Sequence, residues 1–118
     1  MQMNESELTN LLGSLRHMGS DDLNVEVKES AATLSRDVWE TVSAFANTAG
    51  GIIVLGVSER AGFVPVENFE TEKVLNQFVA GMGDAGGRGK LANPPKYTIE
   101  RVELQGTIVL VITIEELD

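Results

Sequence analysis

Apolar and polar positions alternate along this chain in distinct rhythms, and each rhythm predicts its own kind of element. Between Glu5 and Met18, Leu8, Leu11, Leu12 and Leu15 recur at intervals of three and four. That spacing gathers side chains onto one stripe of a helix. Glu5 and Glu7 stand in the first turn and Arg16 and His17 in the last, where each sign complements the helix dipole. A short packing helix is therefore predicted at about 5–18. The next residues, GSDDLN, are turn formers. Val25 and Val27 then alternate with Glu26 and Lys28, a period of two that predicts a half-buried strand.

The helical rhythm returns with Val38, Val42, Phe45 and Ala49, widened by Trp39 and Ala46. Ser35 is placed to cap this helix, with Asp37 in its first turn. Gly50-Gly51 ends it, since glycine takes the left-handed C-terminal conformation at little cost. IIVLGV (52–57) follows, continuously apolar and β-branched, as in a central strand covered on both faces. Residues 58–69 predict a loop with one short extended piece. Val74, Leu75, Phe78, Val79 and Met82 mark a further helix over 70–82. GMGDAGGRGKLANPP (81–95) holds five Gly and two Pro and predicts an exposed, mobile loop. YTIERVEL, the pair Gln105-Gly106 and TIVLVITI then make a hairpin, the second strand interior to the sheet.

This order predicts an α+β fold: a two-layer sandwich with a mixed four-stranded sheet, two main helices on one face, and an N-terminal helix in addition. No repeat or internal boundary interrupts the pattern, so residues 1–118 are expected to be a single domain, part of a longer protein. The absence of Cys removes disulfides, Cys-ligated zinc and a Cys nucleophile. His17, the only histidine, removes any site that needs two. No apolar run is long enough to span a bilayer, and acidic residues stand where a signal peptide needs basic ones. A cytoplasmic protein with no membrane partner is expected.

Charge changes the picture twice. Nine basic against eighteen acidic residues give a net −9, which opposes broad coating of nucleic acid. The excess is uneven. Up to residue 85 the chain carries five basic and thirteen acidic residues, net −8; beyond it there are four and five, net −1. Within 86–101, Arg88, Lys90, Lys96 and Arg101 face only Glu100. This local +3 tract, Gly-rich at its start, is the expected nucleic-acid-binding segment, for DNA or RNA phosphates.

The most distinctive stretch runs from Val25 to Val57: Glu26 and Lys28, a spacer, then Ala44-Phe45-Ala46-Asn47-Thr48, Gly50-Gly51, an apolar strand and Gly56-Val57. It resembles the Schlafen/AlbA-type (AlbA_2) DNA-binding domain found at the N-terminus of many bacterial transcriptional regulators. The Pro94-Pro95 pair and the final hairpin also fall where that family has them. The resemblance covers nearly the whole chain from about residue 20. It implies a non-catalytic regulatory or nucleic-acid-binding module. Its motif residues are Glu26, Lys28, Asn47, Thr48, Gly50 and Gly51. In the physical reading Phe45 is core, the Gly pair turns helix into strand, and Asn47 ties nearby backbone by hydrogen bonds. Alternatively, Asn47, Thr48 and the glycines shape a surface where a ligand backbone approaches.

Relatives of this family are often labelled ATP-binding, which makes an ATP-binding domain one alternative. The glycines argue against it. A phosphate loop precedes a helix, whereas Gly50-Gly51 follows one; at Gly89-Lys90, Leu91 occupies the Ser/Thr position and Asp84 the first Gly. A second alternative is a metal-dependent nuclease. Some eukaryotic relatives cleave RNA with three acidic residues, and by position these would be Asp21, Glu26 and Glu59. Such a triad would hold Mg²⁺ or Mn²⁺ and activate water; otherwise no cofactor is expected. The third alternative is an oligomerisation or protein-interaction module. A homo-oligomer such as a dimer, a protein partner, or a C-terminal DNA-reading domain would each suit the acidic surface and apolar strands.

Overall fold

The computed structural model describes residues 3–18 and 24–117. Helix α1 spans Glu5–Met18, strand β1 Val25–Lys28 and helix α2 Val38–Ala46. Strands β2 (Gly51–Leu55), β3 (Val57–Ser58) and β4 (Val64–Pro65) follow, then helix α3 (Thr71–Gly81) and strands β5 (Tyr97–Leu104) and β6 (Thr107–Ile114). The main sheet has the order β1-β2-β6-β5; β1 runs parallel to β2 and the other pairs are antiparallel, so the four-stranded sheet is mixed as expected. Strands β3 and β4 pair separately.

Strand alternation decides which core each residue joins. Ile53, Leu55, Leu110, Ile112 and Ile114 point to one face, where they pack with Val38, Val42, Val74 and Phe78 of α2 and α3. Val54, Val109 and Val111 point to the other, where Leu8, Leu12 and Leu15 cover them. The two-layer core therefore carries α1 as a further, partial layer on its opposite face. This double cover explains why β2 and β6 read as unbroken apolar runs. Two hydrogen bonds tie the N-terminal segment to the hairpin: the Met3 amide, just before α1, donates to Glu100 Oε1 on β5 (2.6 Å), and the Gln105 amide of the turn donates to Glu5 Oε2 of α1 (2.9 Å).

The glycine pair after α2 is a packing requirement. Gly50 has φ +79°, and a β-carbon there would lie 2.6 Å from the Ile114 carbonyl oxygen. A β-carbon on Gly51 would lie 2.5 Å from the Phe45 ring and 2.8 Å from the Asn24 oxygen. The predicted strand 52–57 is interrupted at Gly56, against which the Phe69 ring packs.

Two further local expectations differ from what forms. Ser35 does not cap α2; its hydroxyl pairs with that of Ser30 at 2.9 Å, and Asp37 takes the N-cap position without a side-chain capping bond. Asp37 is engaged instead by Lys28, Nζ to Oδ1 at 3.2 Å. The Gly-rich segment is exposed over 84–88 but is fastened where it returns: the Lys90 amide donates to the Gly81 carbonyl at 2.6 Å.

Candidate nucleic-acid interface

The four cations of the 86–101 tract do not share one surface. Arg101 lies on β5, where alternation turns it toward α3. Its Nε donates to Glu72 Oε2 at 2.7 Å and its second guanidinium nitrogen to Oε1 at 2.8 Å. The hydrogen bond from Arg101 holds the Glu72 carboxyl below its usual range, and Glu72 raises the Arg101 pKa in return. A bidentate fork of this kind occupies the guanidinium face that a phosphate would use.

Lys96 lines a cleft of about 660 Å³ together with Asp84, Tyr97 and Glu115. Two carboxylates against one ammonium make this wall a poor anion site. The Tyr97 hydroxyl donates to Asp84 Oδ2 at 2.7 Å. Burial first, and this bond second, push the phenol up to about 12.

Arg88 and Lys90 come together, and a cation from far upstream joins them. Both line a groove of about 710 Å³ whose wall also holds Arg36, Trp39 and Gln77. The groove forms because the loop folds back onto the end of α3 while α2 begins alongside. Among the described residues the lining includes three cations and no carboxylate. Asp37, the nearest acidic residue in sequence to Arg36, is engaged by Lys28 and does not line the groove. In a chain of net −9 this is a sharply localised positive surface, the arrangement that attracts phosphate.

Sequence reading missed Arg36 and Trp39 as groove residues. Arg36 stands in an acidic half of the chain, and Trp39 falls on the apolar stripe of α2, where core or interface was the natural assignment. Only the return of the loop to Gly81 brings them beside Arg88 and Lys90.

The motif residues are mostly structural in their contacts. Glu26 and Lys28 are 3.9 Å apart, with Lys28 almost fully covered. The Thr48 hydroxyl donates to the Ala44 carbonyl at 2.9 Å and closes the end of α2. Asn47 is exposed and faces a smaller cleft beside Leu91, Ala92 and Asn93. The backbone tie expected of Asn47 is made by Asn24, whose Nδ2 donates to the Gly50 carbonyl at 3.1 Å.

Of the three carboxylates of the nuclease alternative, Glu26 and Glu59 lie within the described residues. Asp21 lies outside the described residues. Glu59 is exposed beyond β3, where its neighbour Ser58 donates to Glu29 Oε2 at 2.8 Å. Among the described residues no three His, Asp or Glu side chains are grouped to hold a metal ion.

The model of the family described as Schlafen, AlbA_2 matches residues 21–118. The chain belongs to this family. Among solved structures, this AlbA_2 domain is similar to the N-terminal domain of the "Putative ATP-dependent DNA Helicase RecG-related Protein" from Nitrosomonas europaea. The identity is 27%, with 93% of this chain and 73% of that chain covered, at a TM-score of 0.65. A second similarity, to the DIP2311 protein from Corynebacterium diphtheriae, has 13% identity, covers 94% of this chain and 22% of that chain, and has a TM-score of 0.42. No curated protein matches the chain. The family match begins at residue 21, so α1 is an addition to the matched region. Among the described residues no helix is long and apolar enough to cross a membrane.

Proposed function

We propose that this AlbA_2 domain is a nucleic-acid-binding regulatory module of a bacterial transcriptional regulator, acting by binding and not by catalysis. The observation that carries this reading is the groove of Arg36, Arg88 and Lys90, lined by no carboxylate among the described residues. Family membership supports it, and so does the helicase-related name of the similar Nitrosomonas protein. The contact is small and oriented, as the overall negative charge requires.

The test is a fluorescence-anisotropy titration of labelled DNA and RNA at low salt. Changing Arg88 and Lys90 together to Ala is expected to abolish binding. Arg101→Ala is expected to leave it nearly unchanged, because that guanidinium is already engaged by Glu72. Three phosphate contacts give a log K against log salt slope of about −2 to −3. Binding that survives the Arg88/Lys90 change with its slope intact overturns the groove as the interface.

A second reading, association of two copies, is favoured by the open sheet edge at β5. This edge strand is eight residues long and pairs only on its β6 side, which leaves a row of backbone donors and acceptors for another strand. Sizing over a range of concentrations tests it; a constant monomer mass counts against it.

A further inference from the structure

The single tryptophan of the chain stands in the cationic groove. Its ring is fixed in place. One side stacks on Phe78, with centroids 5.4 Å apart and planes inclined by 23°, and its benzo edge fills the space beside Gly81. The side chain is nevertheless only half-buried, and its remaining surface lines the groove with Arg36, Arg88 and Lys90. Gln77 adds a polar handle of defined orientation. Its Oε1 must be the atom facing Leu34, because it accepts that residue's amide proton at 2.7 Å. The Nε2 group, with two protons to give, is then the free end of a side chain that lines the groove.

A held aromatic surface, three phosphate-seeking cations and an amide donor suit an unpaired nucleotide better than a duplex. In a duplex the bases are stacked on one another and offer no face to an aromatic side chain; in a single strand each base has a π-face to give. The volume, about 710 Å³, is that of a cleft for a small group, within the usual range of about 300–1,000 Å³. We propose that the groove binds an unpaired segment of single-stranded nucleic acid. One base stacks on Trp39, its phosphate is held by Arg88, Lys90 and Arg36, and Gln77 Nε2 donates to a base carbonyl. This deepens the nucleic-acid reading above and rests on it.

Because Trp39 is the only tryptophan, its emission reports on this groove alone. The full chain is titrated at low salt with oligo(dT), oligo(rU), a DNA duplex of equal length and inorganic phosphate, following tryptophan emission and, separately, anisotropy of the labelled strands. Quenching by one or both single strands, at several-fold lower concentration than by duplex or phosphate, is the expected result. Trp39→Ala is expected to weaken single-strand binding about tenfold or more. Trp39→Phe, which keeps an aromatic ring on Phe78, is expected to lose less and to guard against a folding defect. Three results would overturn the inference while leaving the nucleic-acid function standing. They are anisotropy binding without quenching, equal quenching by duplex and strand, and single-strand affinity untouched in both Trp39 variants. Quenching by phosphate at the same concentration as by strands would replace the nucleotide with a simple anion. Absence of binding to every nucleic acid would remove both readings.

Discussion

The indole of Trp39 occupies the space that a β-carbon on Gly81 would need. Two helices thereby meet at a point where only glycine fits, and that meeting point is also the floor of the cationic groove. Gly81→Ala is expected to push the ring aside. Alanine is the better helix former by about 1 kcal/mol, but overpacking costs about 1–3 kcal/mol, so net destabilisation of up to about 2 kcal/mol is expected. A urea melt measures this, and a red-shifted tryptophan emission would show the ring moving toward water. Unchanged stability with unchanged emission would mean that the helices separate freely.

The Gly50-Gly51 pair yields the next expected outcome. Gly50→Ala meets both a positive φ and the Ile114 carbonyl. Left-handed backbone costs a non-glycine residue about 1–2 kcal/mol, and the clash adds about 1–3 kcal/mol. Gly51→Ala meets only the clash with Phe45 and Asn24, so Gly50→Ala is expected to be the more damaging of the two. Midpoints from chemical denaturation, compared at constant m-value, would rank them; the reverse order would argue against the left-handed turn.

These glycines were legible because a helix stop and a strand start leave a local mark in sequence. The same holds for Leu8, Leu12 and Leu15 of α1 and for the hairpin, whose Gln105-Gly106 turn joins β5 to β6 as expected. What was not legible depends on long-range meetings. Ser35 looks like a cap until Ser30 claims its hydroxyl. IIVLGV looks like one strand until Phe69 packs against Gly56. The run Arg88 to Arg101 looks like one basic arm, but the strand beginning at Tyr97 hands Arg101 to Glu72 and sets Lys96 beside Glu115. Arg36, apparently lost among acidic residues, ends beside Arg88 and Lys90. Charge summed along a chain predicts a surface only when the chain is straight.

Tyr97, the only tyrosine, gives a titration that can be read without assignment. Its pKa is raised from 10.0 to about 12 by burial and by the bond to Asp84. A raised pKa on an acid favours the neutral form in the folded state, so this contribution is fully present below about pH 10 and is lost as pH rises toward 12. Tyrosinate absorbance is expected to develop near pH 12 in the folded chain and near pH 10 in urea. Asp84→Asn is expected to lower the folded midpoint only part-way, because burial is the larger cause. A folded midpoint at 10 would show that the hydroxyl is open to water and unpaired.

The Glu72–Arg101 fork has the opposite sign. The folded-state pKa of Glu72 lies below its ordinary value because Arg101 donates to the carboxylate. Its contribution is therefore present above the unfolded carboxyl pKa and fades as pH falls through the depressed one. Both side chains are exposed, so salt weakens the pair further. Carboxyl NMR titration of Arg101→Ala is expected to return Glu72 to the ordinary range. An unchanged Glu72 would mean that the fork is not held in solution.

Helix α1 precedes the region that the family model matches, yet Leu8, Leu12 and Leu15 are nearly inaccessible and cover Val54, Val102, Val109 and Val111 on the second face of the sheet. It is therefore part of this domain's core and not an appendage. Leu12→Ala is expected to cost about 2–5 kcal/mol, the usual range for a buried leucine. Removing residues 1–18 goes further: it bares a row of valines and frees the Glu100 carboxylate from the Met3 amide. A contiguous apolar surface of that kind binds dyes and promotes association. The truncated chain is thus expected to melt lower than the full chain, to enhance ANS emission more, and to elute at larger mass than the full chain at the same concentration. If the truncated chain stays monomeric with an unchanged melting temperature, the contacts of α1 contribute nothing to the fold, and the sheet must be stable with one face open.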